Sequence, residues 1–181
     1  DRQPNLMRSA LVPRQIDTHP VSQVLALGYD RAGALLYVNE GLNGSGFKIC
    51  PTCGKQLRGN KCDGKLSGKP CPGVMPRDAK YALGFKQDTD TLHMRFSGTS
   101  HILLPEPDNL SFWLSLAYAI LQGASRALQI ERRDIEGLLF PEPAGAKWRQ
   151  SIVLYDKVPG GAGHVKRIHD EIDKVIAAAI E

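Results

Sequence analysis

Four cysteines, Cys50, Cys53, Cys62 and Cys71, are the only ones in a chain of 181 residues, and they fall close together. Thiolates in this number suit a soft cation in tetrahedral geometry. Zinc held by four protein sulfurs keeps no position open for water, so such a site stabilises a fold rather than catalysing a reaction. Cys50-Pro51-Thr52-Cys53-Gly54 forms a knuckle in which two thiolates can point at one ion and the glycine lets the backbone turn. Cys62 and Cys71 complete the set, without a second C-x-x-C. The residues around them include Gly59, Gly64, Gly68, Pro70 and Pro72 and little that is apolar. A segment of that composition cannot hold itself in place by a core, and Zn²⁺ is the expected staple. Two disulfides would serve only in an oxidising compartment, to which nothing in the sequence points. A redox pair would leave Cys62 and Cys71 without a role.

Lysines and an arginine crowd the same stretch. Lys48, Lys55, Arg58, Lys61, Lys65 and Lys69 are opposed only by Asp63. Lys55, Arg58, Lys61, Lys65 and Lys69 are therefore candidates for nucleic-acid phosphate contacts. A solvated loop is the plainer alternative. Because zinc with four thiolates leaves a local charge of −2, the same cations can also act as counter-charge.

A second candidate site lies at Asp156 to His164. A strand end, a loop with Gly160, Gly161 and Gly163 and a helix start would present several backbone N–H groups to an anion. Asp156 and His164 are the candidates for acid–base chemistry there. The structural alternative is that the glycines let the last helix pack closely on its strand while Asp156 caps backbone amides. On that reading Asp156→Asn should be mild. Gly59-Asn60-Lys61-Cys62-Asp63-Gly64-Lys65 has a P-loop spacing, but Leu66 stands where the Mg²⁺-binding hydroxyl belongs, and no nucleotide site is expected. His19, His93, His101 and His169 occur singly and are read as surface or core residues. No catalytic signature is recognised in the chain.

The elements that must position these groups can be read from periodicity. Val21–Tyr29 and Ala34–Val38 suggest two strands around a turn at residues 30–33. Tyr81–Lys86 and Thr91–Phe96 suggest a second hairpin around residues 87–90. Leu110–Leu128, capped by Asp108 or Asn109, predicts a helix buried on most sides. Ser151–Tyr155 predicts a strand, and a single amphipathic helix follows to about Ile180. The fold class is α+β, with small antiparallel sheets, a buried central helix, a C-terminal amphipathic helix and a zinc loop at residues 48–73. Residues 1–20, with Pro4, Pro13 and Pro20, read as an arm or linker before one domain over residues 21–181.

Apolar residues make up 42% and charged residues 23%, the composition of a folded globular protein. The net charge is +4. The first ninety residues hold 13 Lys or Arg against 8 Asp or Glu, so the excess lies in that half. Neither a targeting signal nor an apolar run of membrane-spanning length is present, and a cytoplasmic location is expected. The chain starts at Asp1, which suggests a piece of a longer polypeptide.

Asn39-Glu40-Gly41, Gly46-Phe47-Lys48-Ile49-Cys50-Pro51-Thr52-Cys53-Gly54 and Leu110–Ile130 with Asp134-Ile135-Glu136-Gly137 together resemble one family, as do Leu154-Tyr155-Asp156 and Pro159-Gly160-Gly161-Ala162-Gly163. It is the MrfA-type zinc-binding, or MZB, domain, found at the C-terminal end of MrfA helicases and of DrmB of the DISARM anti-phage system. The resemblance covers about residues 21–181 and maps the family's zinc ligands onto Cys50, Cys53, Cys62 and Cys71. It implies a module working on DNA behind or beside an ATP-dependent helicase, with the hydrolysis carried by motor domains elsewhere. Anti-phage defence is the expected context, with a repair helicase as the alternative. A hydrolase or nuclease using Asp156 and His164 is the rival from another class.

Overall fold

A computed structural model describes residues 7–11, 16–57, 59, 61–73, 80–98 and 104–181. Arg58, His101 and much of the expected arm lie outside the described residues. The chain divides into two compact units, one containing Leu36–Lys86 and the other Ala10–Leu35 with Gln87–Glu181. The stretch expected as one domain, residues 21–181, contributes to both, and the zinc loop belongs to the first unit.

The strands are β1 (Met7–Leu11), β2 (His19–Pro20), β3 (Leu25–Asn39), β4 (Lys65–Leu66), β5 (Lys69–Pro70), β6 (Leu83–Phe96), β7 (Ile135–Ala144) and β8 (Lys147–Asp156). The helices are α1 (Leu110–Leu128), α2 (His164–Asp170) and α3 (Ile172–Ile180). A six-stranded sheet runs β1-β3-β6-β8-β7 with β2 added to β3, and β4 pairs with β5 in a separate antiparallel ribbon. The class is α+β. Met7–Leu11, inside the stretch read as an arm, is a strand at one end of the sheet.

Both expected hairpins are single long strands instead. Asp30-Arg31-Ala32-Gly33 stays extended inside β3, and Gly33 has a packing role rather than a turn role: a Cβ there would lie 2.3 Å from Thr91. Gln87-Asp88-Thr89-Asp90 reads as a polar turn but is strand interior, because the end of β8 and the segment after it bond to Gln87, Asp88 and Thr89. The Thr89 hydroxyl reaches the carbonyls of Asp156 (2.8 Å) and Val158 (3.0 Å), the Gln87 amide donates to Lys157 O, and Gly160 N–H donates to Asp88 O. The strand expected at Ser151–Tyr155 lies inside β8, whereas its hairpin partner β7 has no counterpart among the expected elements. It pairs in one register from Ile135↔Asp156 to Ala144↔Lys147 around Gly145-Ala146. Pro141 and Pro143 obscure its alternation, yet they are tolerated because β7 is the edge of the sheet.

α1 begins and ends where the periodicity puts it, and the Asn109 side chain accepts from Phe112 N–H at 3.2 Å. One face is buried, through Trp113, Ala117, Ile120, Leu121, Ala124 and Leu128, whereas Leu110, Leu114 and Tyr118 remain exposed. The core lies between this face and Leu92, Met94, Ile135, Ile152 and Leu154 of the sheet. The expected last helix is broken at Glu171, whose φ is −120°. The break lets Val165 and Ile168 of α2 and Val175 of α3 all reach full burial. α3 crosses α1 at Gly123, where a Cβ would lie 2.4 Å from the carbonyl of Val175. No helix among the described residues is long and apolar enough to cross a membrane.

The opposite face of β6, β7 and β8 buries polar groups. Glu142, 5% exposed, accepts from Arg95 Nε at 2.7 Å and from Arg149 Nη2 at 3.5 Å. His93 lies against Phe140 with both ring nitrogens lacking a hydrogen-bond partner among the described residues. Burial pushes it down to about 4, and the carboxylate of Glu142 only partly opposes this. A lowered folded value means that the unfolded chain takes the proton first. His93 therefore costs stability as pH falls from about 6.5 towards 4, up to about 3 kcal/mol. His93→Phe should flatten this loss, read as urea midpoints between pH 4 and 7. Parallel pH profiles for the two proteins would show that His93 is not the group responsible.

Candidate metal centre

The four cysteines of the first unit come together. Their sulfurs all lie within 4.8 Å of one another, and no other group of three or more His, Cys, Asp and Glu converges in this way among the described residues. Cys50 and Cys71 sulfurs are 3.7 Å apart, and those of Cys53 and Cys62 3.4 Å. A zinc ion with Zn–S bonds of about 2.3 Å needs sulfurs about 3.8 Å apart along each tetrahedral edge. The donor set fits zinc in number, softness and size.

Two hairpins deliver the sulfurs. The first is closed by Cys50 N–H to Lys55 O and Leu57 N–H to Lys48 O, with Gly54 N–H bonding Cys50 O across the knuckle. The second explains the eight-residue gap between Cys62 and Cys71. Lys65 faces Pro70 and Leu66 faces Lys69, and Cys62 N–H to Gly73 O and Cys71 N–H to Gly64 O continue the same register. Eight residues are one turn plus two short strands, so both cysteines arrive at the base of one ribbon.

What the sequence reading missed is the repeat Cys62-Asp63-Gly64 and Cys71-Pro72-Gly73. Gly64 N–H donates to the sulfur of Cys62 at 3.3 Å, and Gly73 N–H to that of Cys71 at 3.4 Å. A Cβ on Gly73 would lie 2.4 Å from the Cys50 sulfur, and one on Gly64 3.0 Å from that of Cys53. Cys-x-Gly is therefore the signal that makes the second half regular. The backbone N–H groups of Cys53 and Thr52 hold the Cys50 thiol down to about 6 against its burial. Cys62 goes the other way. Gly64 N–H favours its thiolate, but burial and the crowding of Cys53, Cys50 and Cys71 outweigh it and push the thiol up to about 12. Four thiols this close cannot all ionise alone; a dication supplies the missing charge. Leu57 is the one aliphatic residue buried against them among the described residues, so the ion replaces a core.

Lys55, Lys61, Lys65 and Lys69 are exposed around this centre. Lys55 pairs with Asp63 at 3.0 Å, in an ion pair that solvent weakens.

The glycine loop belongs to the other unit. Asp156 is fully buried, and its carboxylate accepts from Ala162 N–H (2.6 Å), His164 N–H (3.1 Å) and Val165 N–H (3.0 Å). The anion that this helix start would attract is Asp156 itself. The His164 ring instead faces Asp134, 4.0 Å away. Gly161 has φ +80°, and a Cβ on it would lie 2.4 Å from the Asp90 carboxyl carbon. The loop is thus packed against a second buried acid. Tyr29 is raised by burial and by that same Asp90.

Residues 116–181 match the family model described as the MrfA Zn-binding domain. The match starts within α1 and takes in β7, β8, the glycine loop, α2 and α3, so the zinc assignment itself rests on the sulfur geometry. Over 96% of its length the chain overlays on a structure titled as the DUF1998 helicase MrfA bound to DNA, with a TM-score of 0.59 at 14% identity. It spans 20% of that chain, about a fifth of the helicase. A structure of the same helicase bound to DNA and AMPPNP overlays with a TM-score of 0.36 at 10% identity, over 96% of this chain and 18% of that one. No curated protein matches.

Two outcomes follow from the geometry. Gly73→Ala, which leaves every ligand in place, should lower bound zinc well below one equivalent and lower the Tm, because metal binding is here folding free energy. Metal analysis showing full zinc and an unchanged melting curve would refute the close approach. Asp156→Asn should cost about 2 kcal/mol rather than be mild, since an amide NH₂ must then face a backbone N–H that now meets a carboxylate oxygen. Urea titration measures this; a loss under about 0.5 kcal/mol would remove Asp156 from its capping role.

Proposed function

We propose that this chain, with its match to the MrfA Zn-binding domain over residues 116–181, is a zinc-stapled scaffold module of a helicase-associated DNA-processing protein. In this reading it contacts DNA phosphates through its zinc unit. The observation that carries the proposal is the β4–β5 ribbon. Lys65 and Lys69 are exposed on it, Lys61 is exposed just before its base, and Cys62 and Cys71 pin that base. A ribbon fixed by a metal presents cations without losing much conformational entropy on binding. Lys55 is exposed beside them and is the weaker contributor because Asp63 already engages it, while Arg58, a candidate from the sequence, lies outside the described residues.

The parent in this reading is an MrfA-like polypeptide whose motor domains supply ATP hydrolysis, or a partner of such a helicase. Support for the MrfA-like parent is the overlay of 96% of this chain on a fifth of a helicase that was solved with DNA. The DrmB-like, anti-phage context rests on the sequence resemblance alone. The hydrolase reading loses its geometric basis, because backbone amides engage both oxygens of Asp156 and His164 is turned to Asp134.

Replacing Lys61, Lys65 and Lys69 together with Ala should weaken duplex binding across all sequences. The dependence of log K on log salt should become shallower by about 0.9 for each phosphate the variant no longer neutralises. Fluorescence anisotropy over a salt series reads both quantities. Unchanged affinity and slope, with zinc retained, would return these lysines to a solvated face.

A further inference from the structure

Unit 1 carries a second surface that neither the zinc nor the lysines explain. Tyr81, Leu83 and Phe85 alternate along the chain into β6, and they are 44%, 45% and 54% exposed. Alternation puts Leu83 and Phe85 on one face of the strand. Tyr37 of β3 joins them, its ring stacked on Phe85 at 4.8 Å and 13°. Backbone contacts hold the group in place. Tyr81 and Phe47 exchange N–H···O bonds of 2.8 and 2.9 Å, and Gly84 brings β6 so close to β3 that a Cβ there would lie 2.8 Å from Tyr37 O. Aromatic rings on rigid strands at this exposure are costly in water, which is why exposed apolar patches mark binding surfaces.

The charge of the unit selects the occupant. Residues 36–86 hold nine Lys or Arg against three Asp or Glu, an excess larger than that of the whole chain. Lys80 and Lys86 adjoin Tyr81 and Phe85 directly in sequence. An apolar protein segment would gain little from this field, and a duplex keeps its base faces covered. A single strand offers both unstacked bases and phosphates. We propose that Tyr37, Tyr81 and Phe85 form a stacking platform for single-stranded DNA, on which successive bases lie against the rings while the unit's cations hold the backbone. This builds on the DNA-binding reading above and adds strand state to it.

The test uses the zinc-loaded chain with labelled oligo-dT and a duplex of equal length. Phe85→Ala and Tyr37→Ala should each weaken oligo-dT binding about tenfold or more, leaving the salt slope and duplex affinity unchanged. Phe85→Trp should keep or raise the affinity. Replacing bases with abasic sites in the oligonucleotide should erase the difference between wild type and Phe85→Ala. Zinc content and melting curves confirm that each variant is folded. If both alanine variants bind oligo-dT as the wild type does, the platform is overturned and the lysine reading stands. If the alanine variants lose single strands but the triple lysine variant binds duplex unchanged, the platform holds and the lysine reading falls. Equal losses on single strand and duplex would overturn the platform by making the aromatics a general packing surface.

Discussion

Asp156 ends β8 with no solvent contact, and its carboxylate accepts three backbone N–H groups from the loop and the first turn of α2. A buried charge is tolerated only when it is met by donors of this kind, and donors at a helix start are otherwise unsatisfied. Each therefore solves the other's problem. The loop geometry then follows. Gly161 must take a positive φ and pass against Asp90, while Gly160 returns a hydrogen bond to Asp88 in the middle of β6. With α2 anchored there, the break at Glu171 sends α3 across α1 at Gly123, and the core closes beneath it.

The other unit is organised by different forces. Among the described residues only Leu57 gives it an aliphatic core around its cysteines, so its order comes from metal ligation and from two short ribbons. The sulfurs accept N–H bonds from Gly64 and Gly73, which spreads the charge of the thiolates into the backbone. Such a unit holds its shape with few residues. That frees its surface for lysines and for rings that a conventional core would have drawn inside. The two candidate DNA-facing features, the basic ribbon and the aromatic strand face, both belong to this metal-ordered part of the chain.

The polar face of the sheet carries a cost that neither unit's function explains. His93 is buried without a partner beside the Glu142, Arg95 and Arg149 group, and one oxygen of Glu142 also lacks one among the described residues. Replacing one partner of such a group leaves the others buried and unmatched. The group therefore constrains which residues β6, β7 and β8 can carry at these positions.

Local chemistry made part of this protein legible from its residues. The four thiols, the cap and period of α1, the basic ribbon and the glycine loop each depend on neighbours in sequence, so their signals survive in one dimension. Asp156 was readable as a cap for the same reason, although the number of amides it serves was not. The long strands were not legible. Residues 30–33 and 87–90 carry turn chemistry, and they stay extended because Thr91 packs on Gly33 and because carbonyls at and beyond the end of β8 reach Thr89 and Gln87. Those partners lie some sixty to seventy residues away. The break at Glu171, the approach at Gly123 and the stacking of Tyr37 on Phe85 likewise join residues distant in the chain. Residue types and spacing thus determined the zinc set and the helix, because both are short-range. Tertiary packing alone decided which polar stretches became strand and which rings stayed outside, because those choices depend on what lies across the sheet.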